Sequence, residues 1–208
     1  MKRKTIPVGL YEANCTILWD ETGRALVVDP GDEAARILDF LGSAGLKPTA
    51  VFLTHGHFDH ISGVDGILAK HAVPVYLHAD DVELAFSRFN TSQPGYPGMA
   101  RSPLLDTSLV DGAALPGWPN ARVLHTPGHS PGSCCLFFPD DALLIAGDVL
   151  FAGSVGRTDL PGGSWPILAA SLARLAALPG ETAVVCGHGP STTITDERAG
   201  NPFLRDLV

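Results

Sequence analysis

The 208-residue chain has no apolar run near the ~20 residues that a membrane-spanning helix needs. The apolar stretch after its basic first residues, Ile6 to Leu10, is interrupted by Pro7 and Gly9. It is too short for the ~7–15-residue core of a secretory signal. The expectation is therefore a cytoplasmic protein with no membrane partner. The sequence has only four cysteines, Cys15, Cys134, Cys135 and Cys186, and none has C-x-x-C spacing. The adjacent pair would face opposite sides of a strand, so no disulfide framework is implied and the four read as reduced core residues. Positive charge is also scarce. Fourteen Lys and Arg stand against 22 Asp and Glu, and the net charge of −8 argues against a nucleic-acid partner. No repeat or low-complexity tract is present. With 45% hydrophobic and 17% charged residues, the composition is that of one soluble globular domain over residues 1–208.

Strand-like runs come first: Thr5–Val8, Asn14–Trp19 and Ala25–Asp29, the last two joined by an Asp20-Glu21-Thr22-Gly23 hairpin turn. Asp32 is placed to cap a helix with Ile37, Leu38 and Leu41 inward. Ala50–Thr54 reads as a buried strand. A helix follows with Ile61, Val64, Ile67 and Leu68 on one face, then a strand at Pro74–Leu77 and a short helix at Ala79–Phe86. Arg88 to Asp106 has no period and reads as a long loop, with Phe89 and Tyr96 as its candidate pocket residues. The second half offers strands at Ala121–His125, Ser133–Phe138 and Ala142–Ala146, and a Gly-rich loop from Gly153 to Gly163. A helix capped by Ser164, with Pro166 in its first turn and Ile167, Leu168, Leu172 and Leu175 inward, precedes a last strand at Thr182–Cys186 and a short tail. This order predicts two sheets packed together with helices outside, a layered α/β sandwich.

The chemistry concentrates in Thr54-His55-Gly56-His57-Phe58-Asp59-His60. Three imidazoles and a carboxylate this close are costly to bury for stability alone, because each needs a polar partner. They make sense as metal ligands. Residues two apart in extended backbone point the same way, so His55 and His57 can converge on one ion. Asp59 and His60, where a helix begins, then face a second ion about 3.5–4 Å away, as in two-metal hydrolases. A divalent ion needs four or more donors, so further ligands must come from elsewhere. His129, Asp148 and His188 each end a strand-like run and follow a glycine that lets the backbone turn. His71 and His78 are unassigned. His125 reads as a packed strand residue, with bracing of the metal site as the alternative.

His55-x-His57-x-Asp59-His60, followed in order by His129, Asp148 and His188, resembles the H-x-H-x-D-H signature and ligand order of the metallo-β-lactamase superfamily. The resemblance implies a four-layer αββα sandwich with mixed sheets and helices on both outer faces. It implies that His55, His57 and His129 hold a first metal, that Asp59, His60 and His188 hold a second, and that Asp148 bridges them. The two ions are zinc first, with iron or manganese also suiting the donors. The stretch from Gly147 to Gly163 and the ending Gly187-His188-Gly189-Pro190-Ser191-Thr192-Thr193 with Asn201-Pro202-Phe203-Leu204 are similar to short glyoxalase II-like hydrolases. The Lys and Tyr usual in that group for holding glutathione look replaced by Arg157 and Asp159, and the chain stops before the extra helical domain of full-length glyoxalase II. Arg157 and Phe151 are the implied substrate contacts.

The resemblance implies thioester hydrolysis: a bridging water is deprotonated near neutral pH, and Asp59 and Asp148 serve as the catalytic carboxylates. The substrate is then a small-molecule thioester of the hydroxyacylglutathione type. Two alternatives stay open. One is a persulfide dioxygenase-like oxidoreductase using a single iron on His55, His129 and Asp148. The other is a metal-binding module without activity. A lactonase fits less well because Phe151 stands where those relatives carry Tyr, and a β-lactamase fits less well because Asp148 stands where they commonly carry Cys.

Overall fold

The computed structural model describes residues 1–205 and 207. The chain divides into two compact units, Met1–Ser108 and Leu109–Val208. Among the described residues, no helix is long and apolar enough to cross a membrane.

The first unit is built on a six-stranded sheet of order β1-β2-β3-β4-β5-β6. Its strands are β1 (Lys2–Val8), β2 (Ala13–Trp19), β3 (Arg24–Val28), β4 (Lys47–Phe52), β5 (Val75–Tyr76) and β6 (Leu105–Asp106). β1, β2 and β3 pair antiparallel, with Thr5 opposite Thr16 and Leu18 opposite Leu26. From β3 onward the pairing is parallel, so β3 to β6 all end at the same edge of the sheet. Parallel strands buried on both faces carry continuous apolar runs, and Leu26-Val27-Val28 and Val51-Phe52-Leu53 are fully buried. Helix α1 (Ala34–Ser43) covers the sheet with Ile37 and Leu41. Its N-cap is Glu33, in the left-handed region at φ 47°, with no side-chain cap bond. The expected capping residue, Asp32, instead accepts from the Glu33 N–H at 2.6 Å.

The single helix expected after the histidine cluster is two short ones, α2 (Phe58–Ile61) and α3 (Val64–Leu68), separated at Ser62-Gly63. Ile61, Val64 and Ile67 are buried, so the inward face that the apolar spacing predicts continues across the break. A 3-10 turn at Ala79–Asp81 leads into α4 (Val82–Ala85). The long loop is partly ordered by α5 (Arg88–Thr91), which Ser87 caps by accepting from the Asn90 N–H, and by β6 at its end.

In the second unit the strands are β7 (Ala114–Leu115), β8 (Trp118–His125), β9 (Cys134–Phe138), β10 (Leu143–Gly147), a small separate hairpin β11 (Leu150–Phe151) and β12 (Ser154–Val155), β13 (Ala183–Cys186) and β14 (Thr192–Thr193). The main sheet has the order β14-β13-β10-β9-β8-β7. β9 is antiparallel to both β8 and β10, and β13 is parallel to β10. β8, β10 and β13 therefore run the same way and end at one edge. Helix α6 (Trp165–Ala176) buries Leu168, Leu172 and Leu175 at helical spacing. Ile167, expected inward, is 50% exposed because it lies one position off that stripe. Ser164 is the N-cap, as expected, but its side chain makes no cap bond. The tail holds an unforeseen helix, α7 (Ile194–Gly200), capped by Thr193.

All four cysteines are buried and free, as their apolar settings predicted. Burial pushes the thiols of Cys15, Cys135 and Cys186 up, the last two to about 12. An unfolded chain loses those protons near pH 9, so the folded state binds more protons above that value and stability falls as pH rises from about 9 toward 12. Two results are expected: no reaction of the native protein with a thiol-specific disulfide reagent until denaturant is added, and a urea midpoint that drops above pH 9. Replacing Cys135 and Cys186 by Ala should flatten that drop.

Candidate metal centre

Every sequence-derived ligand lies just beyond the C-terminal end of a strand, where parallel sheets leave backbone groups and side chains available to a ligand. In the first unit, β4 runs into Leu53-Thr54 and then the histidine cluster. His57 is extended (φ −71°, ψ 147°) and is the N-cap of α2, so His55 and His57 come from extended backbone while Asp59 and His60 come from the first helical turn. The three rings lie close together. His55 lies 4.8 Å from His57 and 4.2 Å from His60 between ring centroids. The nearest Asp59 carboxylate oxygen is 3.9 Å from His60 Nε2. His55, His57 and His60 are at most 3% exposed.

The rings are oriented from behind by Asp29, which directly follows β3. Its carboxylate accepts from the Thr54 N–H at 2.8 Å and the Thr54 hydroxyl at 2.7 Å. It also accepts from His60 Nδ1 at 3.0 Å. With its proton committed to Asp29, the Thr54 hydroxyl offers a lone pair to His55 Nδ1 at 3.0 Å. A protonated Nδ1 on both rings makes Nε2 the lone-pair nitrogen, the usual arrangement for a metal-ligating histidine. Two further buried polar residues clamp the peptide between His55 and His57: Asp81 accepts from the Gly56 N–H at 2.7 Å, and the Asn90 amide donates to the Gly56 carbonyl. Asp29 sits in Val28-Asp29-Pro30-Gly31, an acid at the end of a strand bordering β4, which was its only readable signal.

In the second unit, His129 follows β8, Asp148 follows β10 and His188 follows β13. One Asp148 carboxylate oxygen lies 3.7 Å from His129 Nε2 and 3.5 Å from His188 Nε2. The His129 Nδ1–H donates to the Arg157 carbonyl at 2.8 Å, which again leaves Nε2 as the lone-pair nitrogen. Two glycines make this geometry possible. Gly128 has φ 131°, and a β-carbon there would meet the backbone of Leu168 at 2.3 Å. Gly187 permits close approach: a β-carbon would fall 2.0 Å from the Asp148 carboxylate. The loop bearing His129 is braced by Ser171, which donates to the Pro127 carbonyl at 2.7 Å, and by His125, whose Nε2 donates to the Pro131 carbonyl at 3.0 Å. His125 thus supports the ligand loop through its backbone.

Of the remaining histidines, His78 caps the turn at Ala79–Asp81 and His71 is half-buried at a helix end. Phe151 stands edge-on to His188 at 6.2 Å. Arg157 directs its guanidinium at Asp159, with two N–H···O distances of 2.7 Å. The pair holds the Asp159 carboxyl down at about 2.

The donors are imidazole nitrogens and carboxylate oxygens, with ring orientation fixed by hydrogen bonds to Nδ1. This set fits zinc, iron(II) or manganese.

Comparison with known proteins agrees with this arrangement. The chain is 41% identical over 212 residues to the probable metallo-hydrolase YqgX of Bacillus subtilis, covering 98% of each. It is 32% identical over 213 residues to the hydroxyacylglutathione hydrolase GloC of Haemophilus influenzae, again covering 98% of each. Among solved structures it is similar to the B3 metallo-β-lactamase BLEG-1 (TM-score 0.90, 38% identity, 98% of this chain and 99% of that one). It is also similar to TTHA1623 in a di-iron-bound form (TM-score 0.88, 40% identity, 97% and 100%), and to ETHE1 from Myxococcus xanthus (TM-score 0.77, 25% identity, 97% and 84%). These neighbours establish the α/β metallo-β-lactamase fold that the ligand order implied. The sequence profile of the Metallo-beta-lactamase superfamily matches residues 8–188, from β1 through the last candidate ligand, and the chain belongs to that superfamily.

Proposed function

We propose that the chain is one hydrolase domain of the glyoxalase II type, which cleaves a small-molecule thioester. His55, His57 and His129 would hold one divalent ion, Asp59, His60 and His188 a second, and Asp148 would bridge them. The observation that carries this reading is the donor geometry: histidines in both units have Nδ1 committed to an acceptor or hydroxyl behind the ring, and carboxylates stand beside Nε2. The family profile runs through all seven residues, which supports their joint use. The GloC relative supports the substrate class. Zinc is the proposed metal, with iron or manganese also suiting the donors, and the similarity to a di-iron-bound structure supports iron as the alternative.

Two such ions supply a Lewis acid for a carbonyl and bring the pKa of water toward neutrality. The protein's own contribution is positional. Asp59 is 12% exposed at its side chain and can accept a hydrogen bond from the attacking water, which fixes the direction of attack. Asp29 holds His60 and, through Thr54, His55 against rotation. Phe151 walls the side of His188 with an apolar ring. Arg157 reaches a substrate carboxylate only by exchanging Asp159. Both side chains are more than 60% exposed, so that exchange costs little. A net charge of −8 disfavours nucleic acid as the ligand, and the cytoplasm is the proposed location.

The deciding experiment measures bound metal alongside hydrolysis of S-lactoylglutathione. Two ions per chain with turnover support the reading. One iron with oxygen uptake would replace it by an oxidoreductase, and turnover of a chromogenic cephalosporin alone would replace it by the activity named for BLEG-1. Changing His57 or Asp148 to Ala should remove bound metal and lower kcat/KM by roughly a thousandfold or more, as when a catalytic metal is lost; full turnover in either variant would contradict the assignment. Asp29→Ala should weaken metal affinity about 10–100-fold, the usual cost of losing a partner behind a ligating histidine. Asp29→Asn should fall between it and the wild type in a chelator competition.

A further inference from the structure

The proposed ligands His55 and His57 are joined through Gly56, the residue type with the greatest backbone freedom. Left to itself, such a joint would let the two imidazoles splay. In the first unit, both polar groups of Gly56 are tied down by side chains from far along the chain. Asp81 accepts from the Gly56 N–H at 2.7 Å and the Asn90 amide donates to the Gly56 carbonyl, across 25 and 34 positions. Both side chains are fully buried, where a carboxylate or an amide is costly unless its bonds are used. Asp81 makes this bond at the expense of its own helix. It is the N-cap of α4, a position at which an Asp ordinarily accepts from the first turn, yet it makes no side-chain cap bond. Ser87 caps α5 and so places Asn90 in its first turn, where a second bond from the amide to the Ala85 carbonyl at 3.3 Å orients it. Packing closes the joint as well: a β-carbon at Gly56 would stand 2.9 Å from the Asp81 carbonyl oxygen and 3.2 Å from the Ala85 nitrogen. Phe89, next to Asn90, packs edge-on to the His57 ring at 6.2 Å.

Resting on the metal assignment under the hydrolase reading, we propose that Asp81 and Asn90 are positioning residues: they fix the separation and tilt of the His55 and His57 rings, and thereby the affinity for the ion those two rings share. With its N–H and its carbonyl both held, Gly56 is confined to one conformation, and the protein itself keeps the rings 4.8 Å apart and tilted by 84°. A pair of ligand arms that is already set loses little freedom on binding, so the clamp acts on affinity through preorganisation. Asp29 does a different job, since it holds Thr54 and His60, which flank the pair. The two supports are therefore separable. The clamp governs the ion on His55 and His57, whereas Asp29 also reaches the ligand of the other ion. What the clamp requires is an acceptor at position 81 and a donor at position 90, and no charge at either.

The test titrates zinc into histidine-labelled protein and follows the ring nitrogens by long-range proton–nitrogen NMR, which shows which imidazoles are engaged at each concentration. Asp81→Ala and Asn90→Asp should each raise the zinc concentration needed to engage His55 and His57 by about tenfold or more, the scale on which residues behind metal ligands act. His60 should respond as in the wild type. Asp81→Asn keeps an acceptor and should return to within a few-fold of the wild type, a rescue that a role through charge or bulk packing would not give. In protein without added zinc, the Gly56 amide should exchange its hydrogen about tenfold faster in Asp81→Ala than in the wild type. Should Asp81→Ala fail to fold, Asn90→Asp, which keeps the shape of the wild-type side chain, carries the comparison with Asp81→Asn. Unchanged engagement of His55 and His57 in Asn90→Asp, an equal loss at His60, or Asp81→Asn as impaired as Asp81→Ala would overturn the clamp while leaving hydrolysis in place. Clamp-dependent zinc binding without turnover of any thioester would uphold the clamp and sink the hydrolase reading.

Discussion

A single buried carboxylate governs the geometry of the first half-site. Asp29 is 1% exposed and makes three hydrogen bonds that reach two of the proposed ligands, His60 directly and His55 through the Thr54 hydroxyl. A carboxylate so placed would be costly to bury alone; its partners offset that cost, and in return it decides which nitrogen of each ring carries the proton. Were His60 protonated on Nε2, it would present a donor where a lone pair is needed. The left-handed backbone at Asp29 (φ 49°) and the bond from its N–H to the Phe52 carbonyl at 3.0 Å lock that carboxylate to the end of β4, from which the ligands follow. Strand pairing, turn strain and ligand tautomer are thus one linked arrangement.

The second unit reaches a similar result by other means. Here a backbone carbonyl, that of Arg157, fixes His129, and close packing replaces a carboxylate hub. Gly128 and Gly187 let α6 and the Asp148 side chain approach to distances at which any β-carbon would collide. Glu197, buried in α7, accepts from the Gly153 N–H at 2.9 Å and from the Thr192 hydroxyl at 2.6 Å, which ties the tail to the β11–β12 hairpin beside His188. Phe151, the proposed substrate contact on that hairpin, therefore stands on a frame set partly by α7.

Arg157 and Asp159 show how a side chain can change meaning in context. As isolated residues they read as a replaced anion grip, but the guanidinium is held by its neighbour's carboxylate while its own backbone supports a ligand. The ion pair is solvent-exposed and weak, so it leaves the guanidinium open to a competing carboxylate.

Much of this was readable from residues alone. The alternation and apolar runs located the eight described strands of four or more residues to within a few residues, and β5 through the apolar run that contains it, and the compressed H-x-H-x-D-H segment announced metal chemistry because no structural role accounts for so many clustered imidazoles. Short elements such as β11, β12 and β14 escaped notice because two residues carry no period. The break between α2 and α3 escaped because the inward face continues across Ser62-Gly63. The roles of Asp29, Asp81 and Asn90 were not legible in the sequence. Each supports residues 25 to 34 positions away, and a buried Asp or Asn in a turn looks like any other turn residue until its partner is known. Sequence by itself determined the donor types, their order and their place at strand ends, since those follow from local spacing. Only the tertiary structure decided which ring nitrogen faces the site and which aromatic rings stand beside it, because both depend on contacts between segments distant along the chain.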